Sequence, residues 1–359
     1  MSEKVLVPVE VLEKFCLTVL QKAGLSEQDS TTVTESLLCA DLRGVGSHGI
    51  VRLASYLDRI RVGVMSLNPK MTIERDAPGS ALLNAQNGFG QLAGAKAMQI
   101  AIEKAKTNGV GLVGVTNSNH FGIAAFFAMQ ALKEDMIGLV MTNASPAIAP
   151  YKTKTPLLGT NPLAVTVPAA AQKPIILDMA TSVVARGKIR LASLTGDTIP
   201  FGWARDSEGN PTDNPKAALK GSMEPIGGPK GSGLSLIIDL LCGVLTGAGV
   251  TGEVKNITDT SGPSKTGHIF IAINVSKFIN PEYFKKTVDQ VILHIKSLPS
   301  SDGSPIYLPG EPELNLEAKR RTEGIPLAVD VISGLCKLAD HYGVPKLGLA
   351  GASSLTPSK

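Results

Sequence analysis

Apolar positions recur at helical spacing along the first 65 or so residues. Val9, Leu12, Cys16, Val19 and Leu20 form one stripe, which Gly24 closes. In the stretch SEQDSTTVTESLLCADL, residues 26–42, Ser26 and Asp29 stand at capping-box spacing ahead of Val33, Leu37, Cys39 and Ala40, which predicts a second helix. Gly44 and Gly46 are expected to end that helix, and Ser47 to cap a third running to about Arg61. From residue 80 the pattern changes to short apolar runs alternating with helical periods: SALLNA, a helix over 91–106, GVGLVGVT, a helix over 123–133, and MIGLVMT. Further strands are predicted over 163–167 (LAVTV), 174–179 (PIILDM) and 268–273 (HIFIAI), whereas the Gly/Pro-rich polar stretch 190–230 reads as loop. After about residue 310 helical spacing returns, with Leu327, Val331, Leu335 and Leu338 on one face. The alternation argues for an α/β layer. The simplest organisation is an α/β domain over 76–309 beside a helical domain built from both chain ends, 1–75 and 310–359.

Composition supports a large buried core. The chain has 359 residues, more than the roughly 100–150 of a typical domain. Its 43% hydrophobic and 18% charged residues, with 37 glycines, describe a turn-rich globular protein. The net charge is only +4, and the one basic cluster, EAKRR at 317–321, carries an acid, which speaks against nucleic acid as a partner. Cys16, Cys39, Cys242 and Cys336 stand far apart with no C-x-x-C, and no Cys/His spacing suggests a metal. The N-terminal MSEKVLVPVE lacks the apolar core of a signal peptide. The longest apolar stretch, 233–245, is interrupted by Asp239 and falls short of the roughly 20 residues that span a bilayer. A cytoplasmic protein that does not engage membranes is expected.

Three glycine-rich segments compete as phosphate sites. RGVGSHGIVR at 43–52 has the G-x-G-x-x-G spelling but follows a helix rather than a strand, which removes the context the fingerprint needs. NGFGQLAG at 87–94 lies between a predicted strand and helix, yet the next strand ends in TNSNH with no acid to hold a ribose, and a glycine-rich helix start explains it as well. IGGPKGSGLSL at 226–236 places Lys230 and Gly231 at a helix start, an anion cradle without the Walker ending.

Of five histidines, His294 on an apolar helix reads as a core or interface residue, His341 as a helix C-terminal cap, and His268 as either core or site. His48 and His120 sit in loops dense in Gly, Ser and Asn, where a side chain can project into a cleft. On a helix capped by Ser47, His48 and Arg52 would share a face. Imidazole and guanidinium together suit a substrate with a reducible carbon beside a carboxylate; the bland alternative is a surface helix with an ordinary arginine.

These segments together resemble the type 2 malate/L-lactate dehydrogenase family, which also includes sulfolactate, ureidoglycolate and diketogulonate dehydrogenases and an imine reductase branch. The resemblance runs nearly end to end through GVGSHGIVRLASYLDRI, SNHFGIAAFFA, LLGTNPLAVTVPA, PIILDMATSVVARGKI, GPKGSGLSLIIDLLCGVLTGA, GHIFIAI and LPGEPE followed by RRTEGIPL. It implies a non-Rossmann, mixed-sheet α/β NAD(P)-binding domain and a homodimer. It implies reversible hydride transfer between nicotinamide C4 and carbon 2 of a small 2-hydroxy or 2-oxo acid. The family's catalytic histidine falls on His48, with Ser47 beside it, and the carboxylate-binding arginine on Arg52. His120 falls near the nicotinamide and is an alternative proton acceptor. Cofactor contacts fall on Ser145, Thr160, Asn161, Asp178, Met179, Ala180, Lys230, Gly231, Gly310 and Glu311. Ser232 and the SKTGH segment depart from the aromatic and asparagine expected there. NAD is the expected cofactor, with NADP the alternative, because no basic pair stands ready for a 2′-phosphate. A helix dipole at His48 is expected to disfavour its cation. The alternatives are a reductase of a cyclic imine or diketo sugar acid on the same scaffold, or a non-catalytic nucleotide-binding protein.

Overall fold

The fold was obtained as a computed structural model whose description covers residues 4–347; residues 1–3 and 348–359, including the end of the expected C-terminal segment, lie outside it. In chain order the elements are β1 (Lys4–Val7), α1 (Val9–Lys22), α2 (Glu27–Leu42), α3 (Leu53–Arg61), β2 (Thr72–Ala77), β3 (Ser80–Asn84), α4 (Gly90–Asn108), β4 (Val110–Ser118), α5 (Ala124–Ala128) and β5 (Met136–Thr142). There follow β6 (Leu163–Val167), β7 (Ile175–Met179), α6 (Arg186–Thr195), β8 (Ala204–Arg205), α7 (Pro215–Lys220), β9 (Ser222–Met223) and α8 (Pro229–Asp239). The chain closes with β10 (Thr266–Asn274), α9 (Pro281–Ser297), α10 (Glu311–Glu323), β11 (Ile325–Ala328) and α11 (Val329–Tyr342).

The central sheet has seven strands in the order β2-β3-β4-β10-β5-β6-β7. Only β3 and β4 pair in parallel, joined by α4; every other neighbouring pair in it is antiparallel. Along α4, Ala93, Ala97, Ala101 and Ala105 recur every four residues and are fully buried against a cluster that includes Val113, Val115 and Phe270. Their small side chains let the helix lie close on the sheet. Removing such apolar surface from water contributes about 25 cal/mol per Å².

The chain ends meet in a second, two-stranded sheet, Val7 opposite Ile325 and Lys4 opposite Ala328. Around it, Leu12, Cys16, Val19 and Leu20 of α1 share one apolar cluster with Leu37, Tyr56, Ile332 and Leu335. The predicted N-terminal stripe is therefore a core face. Ser26 caps α2 as the spacing predicts, its hydroxyl accepting the Asp29 amide at 3.1 Å.

Several elements differ from the sequence reading. β1 and β11 are four residues each, so Leu327 belongs to a strand rather than to the helical face with Val331 and Leu335. β2 is exposed at every position, and no apolar alternation announces it. The segment expected to be loop over 190–230 contains much of α6, all of α7 and the β8–β9 ribbon. Its Ile199, Ala204 and Met223 join Ile148, Leu158 and Ile189 in a small separate core. The single helix expected over 123–133 is instead the five-residue α5 and a 3-10 turn at Ala131–Glu134, ended by Asp135 in the left-handed region at φ 54°. Among the described residues no helix is long and apolar enough to cross a membrane.

Candidate active site

The site is built on the turn that follows α2. Asp41, in the last turn of that helix, is buried, and its carboxylate accepts the Ile50 amide at 2.7 Å. Arg320 of α10 donates to the Asp41 carbonyl. Gly49 lies directly on the Asp41 carboxyl group: a Cβ there would come within 2.2 Å of its carbon and both oxygens. The glycine spelling at 44–49 thus lets the chain fold over a buried acid. Burial pushes the Asp41 carboxyl up to about 7, against the Ile50 hydrogen bond and the Arg320 charge.

From this turn the chain makes two short 3-10 turns, Gly46–His48 and Ile50–Arg52, before α3 begins at Leu53. Ser47 is therefore not a helix cap, and His48 is not in the first turn of an α-helix. The expected dipole effect is replaced by another cause: burial, and then the Arg52 charge, lower the His48 imidazole to about 4. Ser47 Oγ lies 2.9 Å from His48 Nδ1, and Arg52 Nε donates to the Ser47 carbonyl at 2.6 Å. That bond uses one donor nitrogen of Arg52; among the described residues the two terminal ones have no hydrogen-bond partner, and the side chain lines the cleft described below.

His120 comes from the loop after β4. Gly90, at the start of α4, presses against this loop so closely that a Cβ would meet the Asn119 carbonyl at 2.2 Å and that of His120 at 2.7 Å. The second glycine pattern does open a β-α-β unit, but its first turn is filled by the protein's own chain. The His48 and His120 rings stack at 5.3 Å with 23° between planes, and the buried Tyr56 hydroxyl lies 2.7 Å from His120 Nδ1. Burial, followed by the fields of His48, Arg52 and His268, holds His120 well below the usual imidazole range. His268 is a satisfied core residue: fully buried, it bonds Thr142 at 2.7 Å and Ser118 at 2.8 Å and stacks on Phe121. His294 is exposed on α9 and His341 is exposed at the end of α11.

These groups open into one cleft of about 1570 Å³, beyond the roughly 300–1,000 Å³ of ordinary small-molecule sites. Ser47, His48, Arg52 and His120 line it together with Ser145, Thr160, Asp178, Ala180 and Gly310.

A family model described as malate/L-lactate dehydrogenase matches residues 7–336. The chain belongs to the malate/L-lactate dehydrogenase family. A malate dehydrogenase of Pyrococcus abyssi is 41% identical, over 95% of this chain and 96% of its own. A malate/(S)-sulfolactate dehydrogenase of Methanothermus fervidus is 40% identical, over 91% and 95%. The solved sulfolactate dehydrogenase of Methanocaldococcus jannaschii superposes with a TM-score of 0.90 at 38% identity, covering 95% of this chain and 98% of that one. Names among the relatives include both NAD(+) and NADP(+) enzymes. The protein is accordingly an oxidoreductase of a family that works with nicotinamide cofactors.

In this dehydrogenase the remaining residues singled out from sequence divide by position. Asn161 is fully buried behind the cleft wall, its side chain accepting the Ala144 amide at 2.9 Å and donating to the Ser235 carbonyl at 2.9 Å, so it braces the loop that carries Ser145. Glu311 pairs with Lys296 and accepts the Leu308 amide, shaping the turn around Gly310. Met179, Lys230 and Gly231 are likewise not on the cleft wall: Lys230 is exposed in the first turn of α8, and Gly231 packs on the Ile226 backbone. Ser232 accepts the Tyr151 amide at 2.9 Å. Sequence reasoning missed Arg43, Arg186, Arg190 and the loop 252–259, all of which reach the cleft. Arg186 and Arg190 sit in α6, within and beside a stretch whose turn-rich composition concealed a helix. Arg59, buried in α3, donates to the carbonyls of Asp259 and Gly262 and straps that loop in place.

Proposed function

We propose that the protein is an NAD(P)-dependent dehydrogenase of small 2-hydroxy acids, reversibly converting them to 2-oxo acids. The observation that carries this reading is the meeting, in one cleft, of an arginine with two unspent donor nitrogens and two imidazoles held neutral. Arg52 would grip the substrate carboxylate with two parallel hydrogen bonds. This grip brings the oxygen on carbon 2 to the paired imidazoles, where His48 exchanges the proton. A bound carboxylate cancels the Arg52 charge and so removes one of the two causes that keep His48 deprotonated.

The cleft also fits a dinucleotide in chemistry: the hydroxyls of Ser145 and Thr160 and the carboxylate of Asp178 match ribose and amide groups. A nicotinamide held there supplies the hydride acceptor or donor. Asp178 and Glu313 line the wall beside Gly310, where carboxylates favour ribose hydroxyls over a 2′-phosphate; this supports NAD over NADP. Arg186 and Arg190 face the same cleft as Arg52, and among the described residues none of the three has a carboxylate partner. The surplus of positive charge supports a substrate with a second acidic group, of the malate or sulfolactate type, over lactate.

The test is NADH absorbance with oxaloacetate, sulfopyruvate, pyruvate and an uncharged diketone. Turnover of the acids, the doubly anionic ones best, is expected. Cofactor binding without turnover of any of them would refute the reading.

A further inference from the structure

We infer that Tyr56 and the Gly122 amide lock His120 in one neutral tautomer, with the proton on Nε2, so that His120 acts only as a hydrogen-bond donor. Two donors converge on its Nδ1. The Gly122 amide lies 3.3 Å from it, and a peptide N–H can only donate, so Nδ1 must present its lone pair. The Tyr56 hydroxyl, at 2.7 Å, then also donates to Nδ1, since the lone pair cannot donate back. A tautomer with hydrogen on Nδ1 would set two N–H groups against each other.

The far side of Tyr56 supports this direction. Once its proton is committed to His120, its oxygen is free to accept. Gln91, fully buried in the first turn of α4, stands beside that hydroxyl, and neither of its amide atoms has another partner. A small movement lets its NH₂ complete a chain from Gln91 through Tyr56 to Nδ1. Beside the neutral Tyr56 hydroxyl, the groups whose charge acts on His120 all oppose a second ring proton: His48 stacked at 5.3 Å, Arg52 and His268.

The inference deepens the proposed dehydrogenase reading, because it divides the labour of the two histidines. With its Nδ1 lone pair occupied and its cation disfavoured, His120 cannot take a proton in the neutral range. It can offer Nε2–H to the oxygen on carbon 2, leaving proton exchange to His48. Tyr56, which lies wholly behind the ring, is a positioning residue.

The test is ¹⁵N NMR of the full chain with labelled histidine, His120 being assigned from the spectrum of His120→Gln. The expected result is a pyridine-type Nδ1 and a pyrrole-type Nε2, unchanged from pH 5.5 to 9. A proton on Nδ1, or titration within that range, would overturn the lock. This readout needs no substrate, so it stands apart from the activity test above: a locked His120 in a protein that turns over no 2-oxo acid would sink the dehydrogenase reading alone. Tyr56→Phe removes the shorter of the two locking bonds and leaves only the 3.3 Å Gly122 contact, so it should admit a fraction of the Nδ1–H tautomer and lower kcat about tenfold, the worth of one such bond, with KM for the 2-oxo acid little changed. If Tyr56→Phe alters neither tautomer nor kcat, Tyr56 positions nothing. Should that variant fail to fold, the wild-type spectrum still decides the tautomer.

Discussion

Gly49→Ala probes the turn on which the site stands. The added methyl would lie 2.1–2.2 Å from the three atoms of the Asp41 carboxyl group, far inside van der Waals contact, so something must move. If the carboxyl rotates away, it gives up the 2.7 Å bond to the Ile50 amide; a buried hydrogen bond to a charged group is worth about 1.5–3 kcal/mol. If the turn shifts instead, overpacking costs about 1–3 kcal/mol. Either movement partly relieves the other, so the expected loss of stability is about 2–4 kcal/mol. His48 and Arg52 flank Gly49, and a displacement of about 1 Å can cost about 100-fold in rate. Chemical denaturation and kcat/KM with the best 2-oxo acid measure the two effects. Repeating the change in an Asp41→Ala background isolates the cause, because the methyl then meets no carboxyl group. The two substitutions should be coupled by at least about 1 kcal/mol. Wild-type stability and activity in Gly49→Ala, or a purely additive cycle, would show that the turn does not rest on Asp41.

Arg52→Ala should cost about 2–5 kcal/mol in kcat/KM, roughly 30- to 5000-fold, and Arg52→Lys should also be impaired because an ammonium cannot copy the planar fork. An equal loss on an uncharged carbonyl analogue would make Arg52 structural. His48→Ala should lower kcat by about 10²- to 10⁴-fold with NADH affinity little changed; if His120→Ala abolishes turnover while His48→Ala keeps most of it, the two roles are exchanged. In the direction of alcohol oxidation His48 must be neutral, so kcat/KM should hold level from pH 8 down to about 5 and fall only as pH drops through about 4. The acid limb of kcat should sit higher, since the bound carboxylate offsets Arg52; an acid limb of kcat/KM at the ordinary histidine pH would contradict the depressed value. Arg190→Ala should raise KM a few-fold for oxaloacetate or sulfopyruvate and leave pyruvate nearly unaffected, the modest size befitting an exposed charge. An equal effect on all three acids would remove Arg190 from substrate selection.

What could be read from sequence followed burial. α1, α2, α4 and the strands β3 to β7 and β10 bury one face or both, so their apolar spacing betrayed them. β2 buries nothing, and β1 and β11 are stabilised by each other across almost the whole chain, an interaction invisible to a local pattern. His48 and His120 were legible because they stand in loops dense in Gly, Ser and Asn, where a side chain can project into a cleft, and with Arg52 they do meet in one cleft. The reason given for pairing His48 with Arg52 was a helix that does not exist there. They are brought together by a turn wrapped on Asp41, and no periodicity encodes a buried carboxylate under a glycine. Arg190 stayed hidden because its helix packs on a small local core beside a stretch rich in turn residues. Nothing in the sequence singles out Tyr56, because the meeting of its hydroxyl with His120 is made by the fold.

The distribution of charge explains why the site needs so few chemical groups. Arg52 and Arg190 lie close enough to repel each other and make one part of the cleft cationic, while Asp178 and Glu313 bring carboxylates to the part beside Gly310, where Arg43 also acts on Asp178. On the proposed reading that polarity sorts the ligands, an acid to one part and ribose hydroxyls to the other. Arg52, which on that reading attracts the acid, adds to burial in lowering the His48 imidazole, and Arg190 in turn bears on Arg52. On the same reading a bound carboxylate would offset the Arg52 field at the step where a proton on His48 is useful. Burial, the larger cause, keeps the imidazole below its ordinary range, and on this reading substrate charge offsets only the Arg52 contribution. On this reading an uncharged carbonyl would leave the Arg52 field on His48 in place even if it bound, so selection for acids would draw on the proton step as well as on the grip of Arg52.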